Sequence, residues 1–203
     1  MQLYYIPGAC SLADHIALEW VGANYDMVEM NFKSIKSPDY MAMNPGGNVP
    51  LLKHGDFLLT ENVAILHYLA ETFPKAQLLG KDTPRDRAEV MRWLAFINSD
   101  VHPSFHPLFM HHRSADPAAE RVVAGAARQV RRYLERLERQ LEGKSWVVGE
   151  RSVVDPYLFV VLRWATVLKL DLDGLNNLAA FSDRMYSDDG VSAALFAEEG
   201  LQI

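Results

Sequence analysis

The feature that most restricts the fold of this chain is a single change of period. Up to about residue 73, short apolar runs alternate with a helical pattern; beyond residue 84 the apolar residues recur at helical spacing only. Leu3-Tyr4-Tyr5-Ile6 and Tyr25 to Met30 read as strands. Between them Leu12, Ile16 and Trp20 stand at i, i+4 and i+8, which predicts a helix over Leu12 to Val21 stopped by Gly22. That order is a βαβ unit. After a loop around Lys33 to Pro38, Val49 to Lys53 and Phe57 to Leu59 predict a hairpin turned by His54-Gly55-Asp56. Glu61-Asn62 then opens a helix running to about Phe73.

The change of period coincides with the polar passage from Pro74 to Pro84, punctuated by Pro and Gly, and with a change of charge. Residues 1 to 80 hold four Lys and no Arg, whereas the other sixteen basic residues, mostly Arg, follow. This predicts two domains, 1–80 and 84–203, with an α/β first half and an all-helical second half. In the second half, one long helical segment is expected from Pro84 to about His111 and another from Pro117 to Leu141. A third starts at Ser152, where Ser152-Val153-Val154-Asp155 resembles a capping box with Asp in the last place, and buries Val154, Leu158, Val161, Ala165 and Leu168 on one face. Shorter helices over Leu178 to Tyr186 and Ser192 to Glu199 follow.

Composition narrows the function. Apolar residues make up 49% of the 203, enough for a full core. Twenty basic against twenty-six acidic residues give a formal charge of −6, which disfavours a grip on nucleic-acid phosphates. The longest apolar runs, such as Tyr157 to Leu162, are far shorter than the roughly twenty residues of a membrane span. The first residues lack the pattern of a secretory signal, so the cytoplasm is the expected compartment. A single cysteine, Cys10, excludes an intrachain disulfide and a cysteine-built zinc site.

Cys10 follows a strand and turn and precedes a helix, where free backbone N–H groups and the helix dipole favour a thiolate and predict a lowered pKa. The competing reading is a small buried apolar residue. Ala13 stands where a C-x-x-C motif needs its second cysteine, so any disulfide must be made with a separate thiol. In Asn44-Pro45-Gly46-Gly47-Asn48-Val49-Pro50, a cis Val49–Pro50 bond would present the Val49 main chain to a ligand, but the segment by itself favours an ordinary turn with trans proline. Thr60-Glu61-Asn62 marks a helix start that either caps the helix or holds the ionised groups of a ligand. His102 and His106, in a stretch that also holds His111 and His112, have metal-ligand spacing. Pro103 and Pro107 interrupt it, and no metal is expected. Arg128, Arg132 and Arg136 read as a solvated helix face.

Several of these stretches together resemble the cytosolic glutathione transferases, specifically the bacterial beta class: Tyr5-Ile6-Pro7-Gly8-Ala9-Cys10-Ser11-Leu12, Leu58-Leu59-Thr60-Glu61-Asn62-Val63-Ala64-Ile65, Ser152-Val153-Val154-Asp155-Pro156-Tyr157-Leu158-Phe159 and Leu162-Arg163-Trp164-Ala165. The resemblance covers essentially the whole chain. It implies a thioredoxin-like N-terminal domain, a helical C-terminal domain that forms the electrophile site, a homodimer, and glutathione as co-substrate near the seam. It further implies Cys10, Ser11 and His102 as catalytic residues, with His102 adding a proton donor or positive charge, and Tyr5, Lys33 or Lys36, Asn48, Val49, Pro50, Glu61 and Asn62 as glutathione-binding ones. Val49-Pro50 matches the family's cis-proline strand, and Val101 to Phe109 matches its Leu-His-x-x-Phe-x-Pro-Leu-Phe stretch.

The chain departs from the family pattern at Gly46 and Asn48, where Lys and Gln are usual, at Pro103, where Lys is common, and at Ala95, near which an asparagine is expected. The implied activity is conjugation of glutathione to small electrophiles, with Cys10-dependent thiol–disulfide exchange beside it. The alternative is a non-catalytic module of the same fold that binds an apolar ligand or a protein.

Overall fold

In the computed structural model, which describes residues 1–81, 83–111 and 116–199, the first half begins with β1 (Gln2–Tyr5), α1 (Leu12–Val21) and β2 (Asp26–Glu29). It continues with α2 (Pro38–Met43), β3 (Leu51–His54), β4 (Phe57–Thr60) and α3 (Asn62–Thr72). The strands lie in the order β2-β1-β3-β4. β1 runs parallel to β2, as a helical crossover requires, and antiparallel to β3, while the β3–β4 hairpin is antiparallel. Its turn pairs His54 with Phe57 around Gly55, whose φ of 65° suits a residue without Cβ.

The period of two along each strand divides the core. Leu3 and Leu52 point to one face and are fully buried with Ile16 of α1 and Ile65, Leu66 and Leu69 of α3. Leu51 points to the other face and packs with Met30, Ile35 and Tyr40. At roughly 1.5–3 kcal/mol for each buried aliphatic side chain, both faces hold the sheet in register, because a slip of one residue exchanges them. Tyr40 belongs to α2, a helix that follows the loop expected around Lys33 to Pro38 and has no counterpart among the expected elements. Its start is local chemistry: Pro38 occupies the first turn and the Ser37 hydroxyl accepts the Tyr40 N–H at 3.3 Å.

The second half is helical: α4 (Pro84–Phe96), α5 (His102–Ser104), α6 (His106–His111), α7 (Pro117–Gln140), α8 (Val154–Val167), α9 (Asn176–Tyr186) and α10 (Asp189–Glu199). The segment expected as one helix from Pro84 to His111 is three, with a π-helical turn over Ile97–Val101 between the first two. Pro103 and Pro107 lack the N–H that a continuous ladder needs. His102 and His106 therefore sit in different helices, and His112 lies outside the described residues. Among the described residues no group of three His, Cys, Asp or Glu side chains gathers as a metal site.

α8 begins at Val154, two residues after the expected start. The Asp155 carboxylate accepts the Ser152 N–H at 2.7 Å and the Val147 N–H at 2.9 Å, so it ties the preceding loop to the first turn of the helix. Nor is α8 amphipathic: Val154 to Leu162 is buried on every side, because α1, α4 and α9 surround it. Of the expected basic stripe, Arg128, Arg132 and Arg136 are exposed, and Arg136 also lies over the Phe96 ring at 4.0 Å. Glu138 acts at long range, its two carboxylate oxygens accepting the Asn177 and Leu178 N–H groups at 2.9 and 2.8 Å and capping α9. Among the described residues no helix is long and apolar enough to cross a membrane.

Candidate functional site

The turn between β1 and α1 carries Cys10 and is fastened from both halves of the chain. Within it, the buried Ser11 hydroxyl lies 3.4 Å from the Ile6 N–H, which donates to it, and 3.5 Å from the Ile6 carbonyl. Ser11 thus braces the strand-to-helix turn and does not line the cavity described below. From the helical half, Glu198 of α10 accepts the Gly8 N–H at 3.1 Å and pairs with His15 at 3.0 Å, and Trp164 of α8 donates its indole N–H to the Gly8 carbonyl at 2.9 Å. Gly8 and Glu198 are 190 positions apart in sequence. No local pattern announces such a contact.

A cavity of about 90 Å³ opens at this turn, lined by Cys10, Asn48, Val49, Pro50, Glu61, Asn62, Asn98, His102 and Tyr157. Three separate segments of the first half meet there with the π-helical turn, α5 and α8 of the second. A larger concavity of about 670 Å³ lies at the seam, but its lining mixes Lys81, Arg85 and Lys144 with Asp86, Glu89 and Glu150, and its one hydroxyl, on Thr83, is spent capping α4 and donating to Asp86 at 2.7 Å. The small cavity instead brings together a thiol, an imidazole, a phenol and a carboxylate.

The Val49–Pro50 bond is cis, and the Cys10 thiol points its S–H at the Val49 carbonyl, 3.6 Å away. The loop before it is pinned by side chains. Asn44 donates to the Asn48 carbonyl at 2.8 Å and to its side-chain oxygen at 3.0 Å, Tyr40 donates its hydroxyl to the same carbonyl at 2.6 Å, and the Lys36 ammonium donates to the Gly47 carbonyl at 2.7 Å. A Cβ on Gly46 would stand 3.1 and 3.2 Å from the amide oxygens of Asn44 and Asn48, so the small residue at 46 and the short amide at 48 belong together. Asn62 donates to the Cys10 carbonyl at 2.8 Å. Glu61 makes no capping hydrogen bond and sits at φ 74°, a conformation costly for a residue with a Cβ. Its exposed carboxylate is not the helix cap.

Electrostatics correct two expectations. Burial pushes the Cys10 thiol up to about 12, with Asp14 adding to it, so the helix start does not make this cysteine a thiolate in the ligand-free protein. Burial likewise lowers His102 to about 4, leaving the imidazole neutral at pH 7, where a positive charge or proton donor was expected. Its Nδ1 lies 2.6 Å from the Tyr157 hydroxyl, and that hydroxyl donates to Asn98 Oδ1 at 3.0 Å. Burial holds the Tyr157 phenol well above its ordinary range, so it stays protonated.

Of the residues singled out from sequence, the cavity therefore gathers Cys10, His102, Asn48, Val49, Pro50, Glu61 and Asn62. Tyr5 is buried in β1 with its ring 6.4 Å from that of His15, away from the cavity. Lys33 lies on the exposed stretch after β2, and Lys36 is engaged with the loop. Two lining residues went unrecognised, Asn98 and Tyr157. Asn98 is the asparagine one helical turn before His102, close to the expected place but three residues after Ala95. Tyr157 stands in an apolar run and in a family-like stretch, neither of which gives its hydroxyl a role.

The chain is similar to known proteins over nearly its whole length. The family profile "Glutathione S-transferase, N-terminal domain" matches residues 1–71, and "Glutathione S-transferase, C-terminal domain" matches residues 100–189. Glutathione S-transferase GST-4.5 of Xanthomonas campestris is 45% identical over 201 residues, covering 98% of each chain. The structure of a glutathione S-transferase from Xylella fastidiosa superposes with a TM-score of 0.93 at 44% identity, over 97% of this chain and 98% of that one. A beta class enzyme of Sphingomonas chungbukensis gives 0.89 at 36%, and a sphingomonad glutathione S-transferase complexed with glutathione gives 0.88 at 35%, each over 99% of this chain and 100% of the other.

Proposed function

This chain belongs to the glutathione S-transferase family, and from that premise we propose that it is a beta-class-like enzyme that joins glutathione to small electrophiles, a detoxifying conjugation. The observation that carries the proposal is the convergence of Val49, Glu61, Cys10 and His102 on one cavity. In the reaction the thiol proton of glutathione passes to a base and the electron pair of the S–H bond stays on sulfur; the sulfur bonds to carbon of the electrophile as the carbon–leaving-group bond breaks, and the leaving group departs with that bond's electron pair.

Each residue takes a part that its surroundings support. Residues 1–80 hold glutathione and 84–203 the electrophile. Val49 offers main-chain groups beside the cis proline, with Asn48 and Pro50 flanking. Glu61, free of capping, receives the ligand's ammonium, and Asn62 holds the Cys10 turn. Lys36 is engaged with Gly47, so Lys33 is the cation proposed for the glycyl carboxylate. Cys10, kept protonated, serves as an S–H donor to the glutathione sulfur, and Ser11 contributes by bracing the turn. Thiol–disulfide exchange through Cys10 is then a slow companion activity, because it needs the thiolate that burial suppresses. A lone reduced thiol fits the cytoplasm.

We also propose a homodimer that sets the first half of one copy against the helical half of the other. Phe57 and Leu58 on β4, and Phe109, Met110 and Val122 near α6 and α7, are exposed apolar side chains that such contact would cover. Titration calorimetry with glutathione, followed by a panel of aryl halides, epoxides, peroxides and mixed disulfides, tests the activity. Absence of glutathione binding would leave the non-catalytic module as the better reading, and a monomer mass at micromolar concentration would remove the dimer.

A further inference from the structure

We propose that Asn98 and Tyr157 are positioning residues that fix the tautomer of His102, proton on Nδ1 and lone pair on Nε2, and so make Nε2 the acceptor for the proton of glutathione's thiol. The inference rests on the conjugation reading above and deepens it. It starts from a count of protons. A phenol has one O–H to donate, and Tyr157 has two polar neighbours, Asn98 Oδ1 at 3.0 Å and His102 Nδ1 at 2.6 Å. The amide oxygen is an acceptor only, so Tyr157 donates to it, and the bond to Nδ1 can form only if the imidazole donates. Nε2 is then the basic nitrogen.

The ring is held for that task by its neighbours. Trp164 meets it edge-on with ring centres 4.8 Å apart, and Tyr157 at 5.9 Å. The Trp164 N–H is directed at Gly8 and does not compete for Nε2. His102 lines the same cavity as Cys10 and Val49, where the family reading puts the glutathione sulfur. When the thiol arrives, its proton passes to Nε2 while the electron pair stays on sulfur, and the imidazolium returns the proton to solvent after the carbon–sulfur bond forms. Burial keeps the empty ring neutral; the thiolate formed beside it is the counter-charge that lets the ring hold the proton. The titratable groups that share the cavity with this ring are Tyr157 from α8, Cys10 from the turn before α1 and Glu61 at the start of α3, while Asp14 of α1 acts on Tyr157.

Two measurements on the full chain test the assignment. Multiple-bond nitrogen NMR of the His102 imidazole in the ligand-free protein is expected to report the neutral Nδ1–H form; an Nε2–H form overturns the proposal outright. Ultraviolet titration of the thiolate of bound glutathione, together with kinetics, is then compared between wild type and Tyr157→Phe, which keeps the ring and removes one oxygen. The expected result is a higher apparent thiol pKa and a kcat about tenfold lower with KM for glutathione little changed, the part of a general-base contribution lost when the imidazole is kept but misaimed. An unchanged thiolate titration in Tyr157→Phe defeats the role of Tyr157 while leaving glutathione binding intact. A wild type that binds no glutathione defeats the reading of the site itself, and this role for His102 with it.

Discussion

Cys10 offers the sharpest test of the balance between burial and a helix start. Its thiol is raised from 9.0 to about 12, burial being the larger cause and the Asp14 carboxyl the next. Three pH units mean about a thousandfold less thiolate at neutral pH than an unperturbed thiol of that starting value, or about 4 kcal/mol at 1.36 kcal/mol per unit. Only the thiolate attacks iodoacetamide. Alkylation of the ligand-free protein should therefore run roughly a thousandfold slower than that of a small-molecule thiol at the same pH. Its logarithm should rise by about one for each pH unit up to pH 10 without levelling. Asp14→Asn removes the second cause and should speed the alkaline limb, by less than burial withholds. Rates followed by intact mass over a pH series give the titration directly. A plateau below pH 9 in the folded protein would refute the reasoning, since it would mean that the free N–H groups at the start of α1 outweigh desolvation, and the redox reading of Cys10 would regain its ground.

Other outcomes follow from single contacts. Glu61→Ala should weaken glutathione binding by roughly ten- to a hundredfold in calorimetry, the worth of one charge-assisted hydrogen bond, with little loss of melting temperature because Glu61 makes no cap bond. Glu138→Ala frees the Asn177 and Leu178 N–H groups and should lower stability by about 1–2 kcal/mol in urea unfolding, since among the described residues no other side chain caps α9. Asp14 is fully buried, and its carboxyl is raised well above 3.8, chiefly by burial. The folded chain thus keeps a proton that the unfolded chain releases above about pH 3.8, and the stability this proton carries is complete below that pH and lost as pH rises through the folded value. Urea midpoints for Asp14→Asn should accordingly fall less steeply with rising pH than those of wild type; parallel curves would show that Asp14 is not the group concerned.

The strands of the first half with α1 and α3, and the helical character of the rest, were legible in the chain because they rest on local periodicity, which a strand or helix imposes on its own residues. The hairpin at Gly55 and the stop at Gly22 were legible for the same reason, each needing a backbone that glycine adopts without strain. The Ser37-Pro38 start of α2 was equally local and simply went unread. Motif resemblance carried the site further than periodicity, since Cys10, Val49, Glu61 and His102 come from four distant stretches that no spacing relates. What the tertiary structure alone decided is how those groups are charged and aimed. A pKa depends on the water removed by surrounding elements, and the burial around Cys10 and His102 is assembled from residues more than a hundred positions apart, so the helix-start argument gave the wrong direction for one and the expected charge failed for the other. In the same way, the hydroxyl of Tyr157 was hidden in an apolar run until α8 brought it against His102 and Asn98. A hydrogen bond between side chains has no period in sequence, and its direction is set only when both partners stand in place.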